Sequence, residues 1–97
     1  MREVVITDNA KGEIEQIAFF LEHTYSNKTK VEFLVKLSEK LLFIESMPFM
    51  YPSSTKNPRV RKCIVHKNSV CFYEVKNDKI IILEVADSRI DPDIQRF

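Results

Sequence analysis

No part of this chain stays apolar for long. Apolar runs such as Ile80 to Leu83 fall far short of the ~20 residues that span a bilayer, which excludes a membrane helix. Met1-Arg2-Glu3 leads straight into a strand, so neither signal peptide nor anchor is expected and a cytoplasmic location is. Charge of one sign is also missing. Fifteen basic against fourteen acidic side chains leave a net charge of +1, so no global field draws the protein to nucleic acid or anionic membrane, and any nucleic-acid role needs a local basic patch. Cysteine is scarce. Cys63 and Cys71 fall on adjacent expected strands and, in a reducing compartment, are expected to be buried free thiols. The two histidines, His23 and His66, lack the paired spacing of metal ligands, so neither metal nor cofactor is expected. Repeats and low-complexity tracts are absent. Ninety-seven residues at 44% apolar content suit one domain, residues 1–97, around one core.

What is present reads as strand, helix, helix and three strands. Val4-Val5-Ile6 makes a short strand that ends at Thr7-Asp8-Asn9, any of which can cap a helix. Ala10, Ile14, Ile17, Ala18, Leu21 and Tyr25 then recur at steps of three and four, one buried helical stripe, with Gly12 as a weak point. Ser26-Asn27 breaks and recaps the chain. Val31, Leu34, Leu37, Leu41 and Ile44 define a second stripe, ended by Pro48; Phe33, Leu42 and Phe43 widen it, which predicts a central helix touching both its partner and a sheet. A turn this short makes the helices an antiparallel hairpin. Residues Pro48 to Arg59, with three of the four prolines, predict an irregular loop. Cys63-Ile64-Val65, Val70 to Val75 and Ile80 to Val85 are rich in β-branched and aromatic residues and are separated by Asn- and Asp-bearing turns, a meander of three strands. The expected class is α+β, a helical hairpin on one face of a mainly antiparallel sheet.

Strict alternation places Cys71, Tyr73 and Val75 on one face of the middle strand, with Val70, Phe72 and Glu74 on the other. On the last strand the sets are Ile81, Leu83, Val85 and Ile80, Ile82, Glu84. If the more uniformly apolar set meets the helices, the opposite face shows Val70, Phe72, Ile80 and Ile82. A patch of that kind either docks a partner or is covered by the tail from Ile90 to Phe97 or by the loop around Phe49, Met50 and Tyr51. Lys56, Arg59, Arg61, Lys62 and Lys67 form a local basic strip, able to hold phosphates or simply to protect an edge strand from pairing. His66, in an expected turn without a partner, reads as an ordinary exposed histidine rather than a general base.

Val5-Ile6-Thr7 with Ala10 and Glu13-Ile14, Phe33-Leu34 with Leu37, Pro48 with Tyr51-Pro52, then Arg61-Lys62, Phe72 to Val75, Asn77-Asp78, Ile80 to Leu83 and Arg89-Ile90-Asp91-Pro92 come in an order that resembles the RelE/ParE family of bacterial type II toxin-antitoxin toxins, also labelled plasmid stabilisation proteins. The resemblance covers nearly the whole chain. It implies a small toxin held inactive, in a hetero-oligomer, by a cognate antitoxin whose extended or helical segment wraps it; Ile64, Val70, Phe72, Ile80 and Ile82 are the implied antitoxin contacts. RelE-like members cut messenger RNA in the ribosome, which requires a proton acceptor, cations at the phosphate and an acid for the leaving oxygen. Here that role would fall to Lys62, Lys67 and Arg89. Ile64 and Val70, however, stand where basic residues are typical, and no tyrosine follows Arg89. ParE-like members share the Arg-x-Asp-Pro ending and bind DNA gyrase. For that branch, the one favoured here, Arg61, Lys62, Arg89, Asp91, Pro92 and Arg96 are the expected target contacts. A degenerate member that binds only its antitoxin is the third alternative.

Overall fold

The computed structural model describes residues 2–94. It runs β1 (Glu3–Ile6), α1 (Asp8–Thr24), α2 (Asn27–Ser46), β2 (Val60–His66), β3 (Ser69–Val75) and β4 (Lys79–Asp87), the α+β order the pattern predicts. Each helix starts on a hydroxyl cap. Thr7 Oγ1 accepts the Ala10 N–H at 3.1 Å, and Ser26 Oγ accepts the Thr29 N–H at 3.1 Å; caps of this type are worth about 1 kcal/mol each. Ala10, Ile17 and Leu21 of α1 and Phe33, Leu37 and Ile44 of α2 are buried. Val31, Leu42 and Phe43, expected on the inner stripe, are instead exposed, because one helix face cannot bury so wide an arc of apolar residues. Helix α1 packs along β4, while α2 touches α1, β2 and, more lightly, β1.

The four strands lie in the order β1-β4-β3-β2, with β1 parallel to β4 and the remaining pairs antiparallel. The helical hairpin between β1 and the meander supplies the long connection that a parallel pair requires. Strand β4 is therefore central, and its register decides what faces the helices. Phe72 pairs with Glu84 and Tyr73 with Ile82, so Leu83 is one residue too many. This bulge reverses the alternation partway along the strand. Ile80, Ile82 and Val85 consequently all join Cys63, Cys71 and Tyr73 in the core beneath the helices.

Two expected antitoxin contacts are thereby corrected. Ile80 and Ile82 are 0% exposed and face the helices; strict alternation had placed them on the outer side. Phe72 does face outward, opposite Lys62 and Glu84, yet it is only 2% exposed. Loop residues Pro52 to Thr55 and Ile94 close a small cleft around it. Of the five residues, Ile64 stays exposed and Val70 partly so.

Because β4 runs on past the end of β1, part of its edge would be left bare. Helix α1 supplies the missing partners. Thr7 Oγ1 donates to the Ile82 carbonyl at 2.9 Å, Asn9 Nδ2 donates to the Leu83 carbonyl at 3.2 Å, and Glu13 Oε1 accepts the Val85 N–H at 3.0 Å. Glu13→Ala would strand the Val85 N–H, a loss of about 1–3 kcal/mol; a lower urea midpoint together with faster amide exchange at Val85 is expected, and unchanged exchange there would refute the role. Gly12 sits in the interior of α1 with nothing within 4 Å of where a Cβ would lie. Gly12→Ala is therefore expected to raise stability by about 0.5–1 kcal/mol, and a fall in melting temperature would contradict the open geometry.

Candidate functional site

The carboxyl end of β4 is built around a buried acid. Asp87 is 1% exposed. Its Oδ1 accepts the Arg89 backbone N–H at 2.9 Å and Arg89 Nε at 3.0 Å, while Oδ2 accepts Arg89 Nη2 at 2.8 Å and Ser69 Oγ at 2.6 Å. The Ile90 and Asp91 N–H groups both donate to the Asp87 carbonyl. A tight turn results, with the Arg89 guanidinium 5.5 Å from the Tyr25 ring centroid at the end of α1. Burial alone would raise the Asp87 carboxyl. The hydrogen bonds from Arg89 and Ser69, and the Arg89 charge, outweigh it and hold the group below its ordinary 3.8. The same hydrogen bonding to Asp87 raises Arg89.

Arg89, expected as a target contact or as part of a nuclease centre, is thus first a structural cation. Its fork is closed on Asp87 from the same turn. The partner went unread in the sequence although an acid two residues before an arginine was a usable signal. Asp91 and Pro92 follow on the surface of the turn, and Arg96 lies outside the described residues.

The basic strip does not act as one surface, because neighbours on a strand point to opposite faces. Lys62 lies on the outer face opposite Phe72, whereas Arg61 pairs with Tyr73 and donates from Nη1 to the Tyr51 carbonyl at 2.6 Å. Lys67 is exposed in the β2–β3 turn. Lys62 and Arg89 line different clefts. The cleft holding Arg89, with His66, Ser69 and Thr29, has about 40 Å³ of space. Among the described residues, no three His, Cys, Asp or Glu side chains are grouped to hold a metal ion.

Besides Ile64 on the sheet, exposed apolar surface lies along the helical side. Leu42 is 66% exposed, and Val31 and Val35 project from the same helix. Beside them Val4, Ile6, Leu41 and Leu42 line a groove of about 400 Å³ between β1 and α2. An excess of apolar residues over one helical stripe was its sequence signal; Val35, four residues after Val31, went unread.

Several solved structures share this architecture. A chain of the chromosomal ParDE system of P. aeruginosa matches with a TM-score of 0.78 at 15% identity, covering 90% of this chain and 96% of that one. A copper-bound mutant toxin from Helicobacter pylori matches at 0.64 and 14% identity, covering 94% and 99%. A chain of the E. coli DinJ-YafQ complex matches at 0.57 and 10% identity, covering 94% and 98%. Together they define a RelE/ParE-type toxin fold. A sequence model of the ParE toxin of the type II toxin-antitoxin system, parDE, matches residues 4–92, and the chain belongs to that family. No curated protein sequence matches it.

The pH dependence of the Asp87–Arg89 bridge is a direct test of the site. Arg89→Ala leaves a buried carboxylate without its cation, a loss toward the low end of the ~3–5 kcal/mol known for such cuts, since Arg89 is partly exposed. Because the folded Asp87 titrates below the unfolded 3.8, its contribution is complete above that value and disappears as pH falls through the folded one. Urea midpoints should therefore separate wild type from Arg89→Ala at neutral pH and converge below 3.8. A gap that is constant with pH would exclude the bridge as its source.

Proposed function

We propose that this chain, as a single domain over residues 1–97, is the cytoplasmic toxin of a bacterial type II toxin-antitoxin pair and acts by binding DNA gyrase. The observation that carries the reading is the state of Arg89. Its guanidinium is bidentate on Asp87, so the Arg-x-Asp-Pro ending supports a shaped turn rather than a free catalytic cation. Lys62, Lys67 and Arg89 do not line a common cleft, which weakens the alternative of a ribosome-dependent mRNA endonuclease. A binding toxin needs no such convergence. Asp91 and Pro92 on the turn, with Lys62 and Arg61, are the proposed gyrase contacts.

A cognate antitoxin is the second proposed partner. The membership in the parDE family supports it, as does the exposed apolar surface along α2. An amphipathic segment of the antitoxin would lay its apolar side against Leu42 and the groove beside it, with Ile64 and Val70 as further contacts on the sheet.

Adding the purified protein to gyrase and supercoiled plasmid should accumulate linear, cleaved DNA. Intact plasmid, combined with cut transcripts in a translating extract, would overturn the gyrase reading in favour of the nuclease. Intact DNA and intact transcripts, with the antitoxin still bound, would indicate a member that has lost its toxicity.

A further inference from the structure

Two arginines far apart in the chain, Arg2 and Arg61, meet at one aromatic ring. Phe49, 58% exposed after α2, has the Arg61 guanidinium carbon 5.0 Å and the Arg2 guanidinium carbon 5.3 Å from its ring centroid. Both cations are also anchored to backbone carbonyls. Arg61 Nη1 donates to Tyr51 at 2.6 Å and Arg2 Nε donates to Lys76 at 2.8 Å, which leaves the other donors of each fork for a ligand. Arg59, Arg61, Lys76 and Asn77 line a cleft of about 440 Å³ with Phe49 at its wall. Glu74, the acid in that wall, is held by Lys76 at 3.2 Å.

Arg59 and Arg61 in the lining, with Arg2 across the Phe49 ring, leave a local excess of positive charge beyond the Lys76–Glu74 pair, in a chain whose whole charge is +1. Cation–π contact at Phe49 offsets part of the repulsion between the two guanidiniums. The remaining positive potential is what a bound anion would relieve. Guanidinium forks match the geometry of phosphate oxygens. Only Pro58 and Val75 add aliphatic surface, too little to enclose a base or a sugar.

We propose that this cleft grips the phosphodiester backbone of DNA. That the strand is DNA rests on the gyrase reading; the preference for backbone phosphates rests on the cleft alone. The toxin would then touch the nucleic acid that its target enzyme holds, as well as the enzyme.

The test is fluorescence anisotropy of the full chain with a labelled DNA duplex, without gyrase, over a series of salt concentrations starting at about 50 mM. Arg59→Ala with Lys76→Ala removes two exposed contacts and should make the slope of log K against log salt shallower by about 1.8, at about 0.9 per phosphate. Lys36→Ala, on the exposed side of α2, should leave that slope unchanged. The proposal is overturned if wild type does not bind the duplex at the lowest salt or if the Lys36 variant changes the slope as much. It is overturned equally if polyglutamate displaces the duplex as well as unlabelled duplex does at matched charge. Gyrase inhibition by wild type without duplex binding would end this proposal alone, while duplex binding without gyrase inhibition would end the functional reading alone.

Discussion

The extra residue in β4 governs the rest of the molecule. Leu83 has no opposite number on β3, so the strand changes which side it presents between Ile82 and Val85. On its other edge β4 outruns β1, and the backbone groups there must find partners, since an unpaired buried N–H costs about as much as a hydrogen bond contributes. Glu13, Asn9 and Thr7 provide them. The first turns of α1 therefore act as the missing edge strand beyond Ile6, and this ties the angle of the helix to the register of the sheet. With α1 fixed on β4, the core residues of both meet without choice.

The same parity rule sorts the charges. Arg61 and Lys62 are neighbours in sequence and part company in space, one toward the Tyr51 carbonyl and the Phe49 ring, the other toward Phe72. Arg89 is committed to Asp87, and Glu74 to Lys76. A cation engaged in this way has lost part of its ability to reorganise around a reacting phosphate, but it is well placed to hold a backbone turn in one shape. Recognition by a preformed surface gains from that rigidity, since less side-chain entropy remains to be lost on binding.

Element types and order were legible because each rests on local signals: hydroxyl caps at Thr7 and Ser26, one apolar stripe per helix, and β-branched runs divided by polar turns. The α+β class followed from that order, whereas the parallel pairing of β1 with β4 was not read. The outer sheet face was not legible. Alternation assumes an unbroken pleat, and nothing in Ile82-Leu83-Glu84 announces a bulge; the Glu13 carboxylate that receives the Val85 N–H just beyond it lies 72 residues away in sequence. Cover over Phe72 by Pro52 to Thr55 and Ile94 was open for a similar reason; loop placement depends on tertiary contacts. Arg89 was found as a residue but not as a partner of Asp87. The Phe49 cleft draws on Arg2, Arg61 and Lys76, which no window along the chain brings together.

Exposed apolar surface remains to be accounted for physically. Among the described residues, sixteen hydrophobic ones are buried while Phe19, Val31, Val35, Leu42 and Phe43 on the helices are not, although a chain this short has little apolar surface to leave unburied. Such a distribution is costly for an isolated monomer and reasonable for one that meets a polypeptide partner. The helical side carries this grease, whereas the Phe49 end of the sheet carries the unbalanced positive charge. An apolar surface suits a partner that must stay bound until removed, and a charged one suits fast, salt-sensitive encounter. Separation of the two onto different parts of a 97-residue fold allows an inhibitor and a target to be recognised by different physics, so that binding of one need not imitate the other.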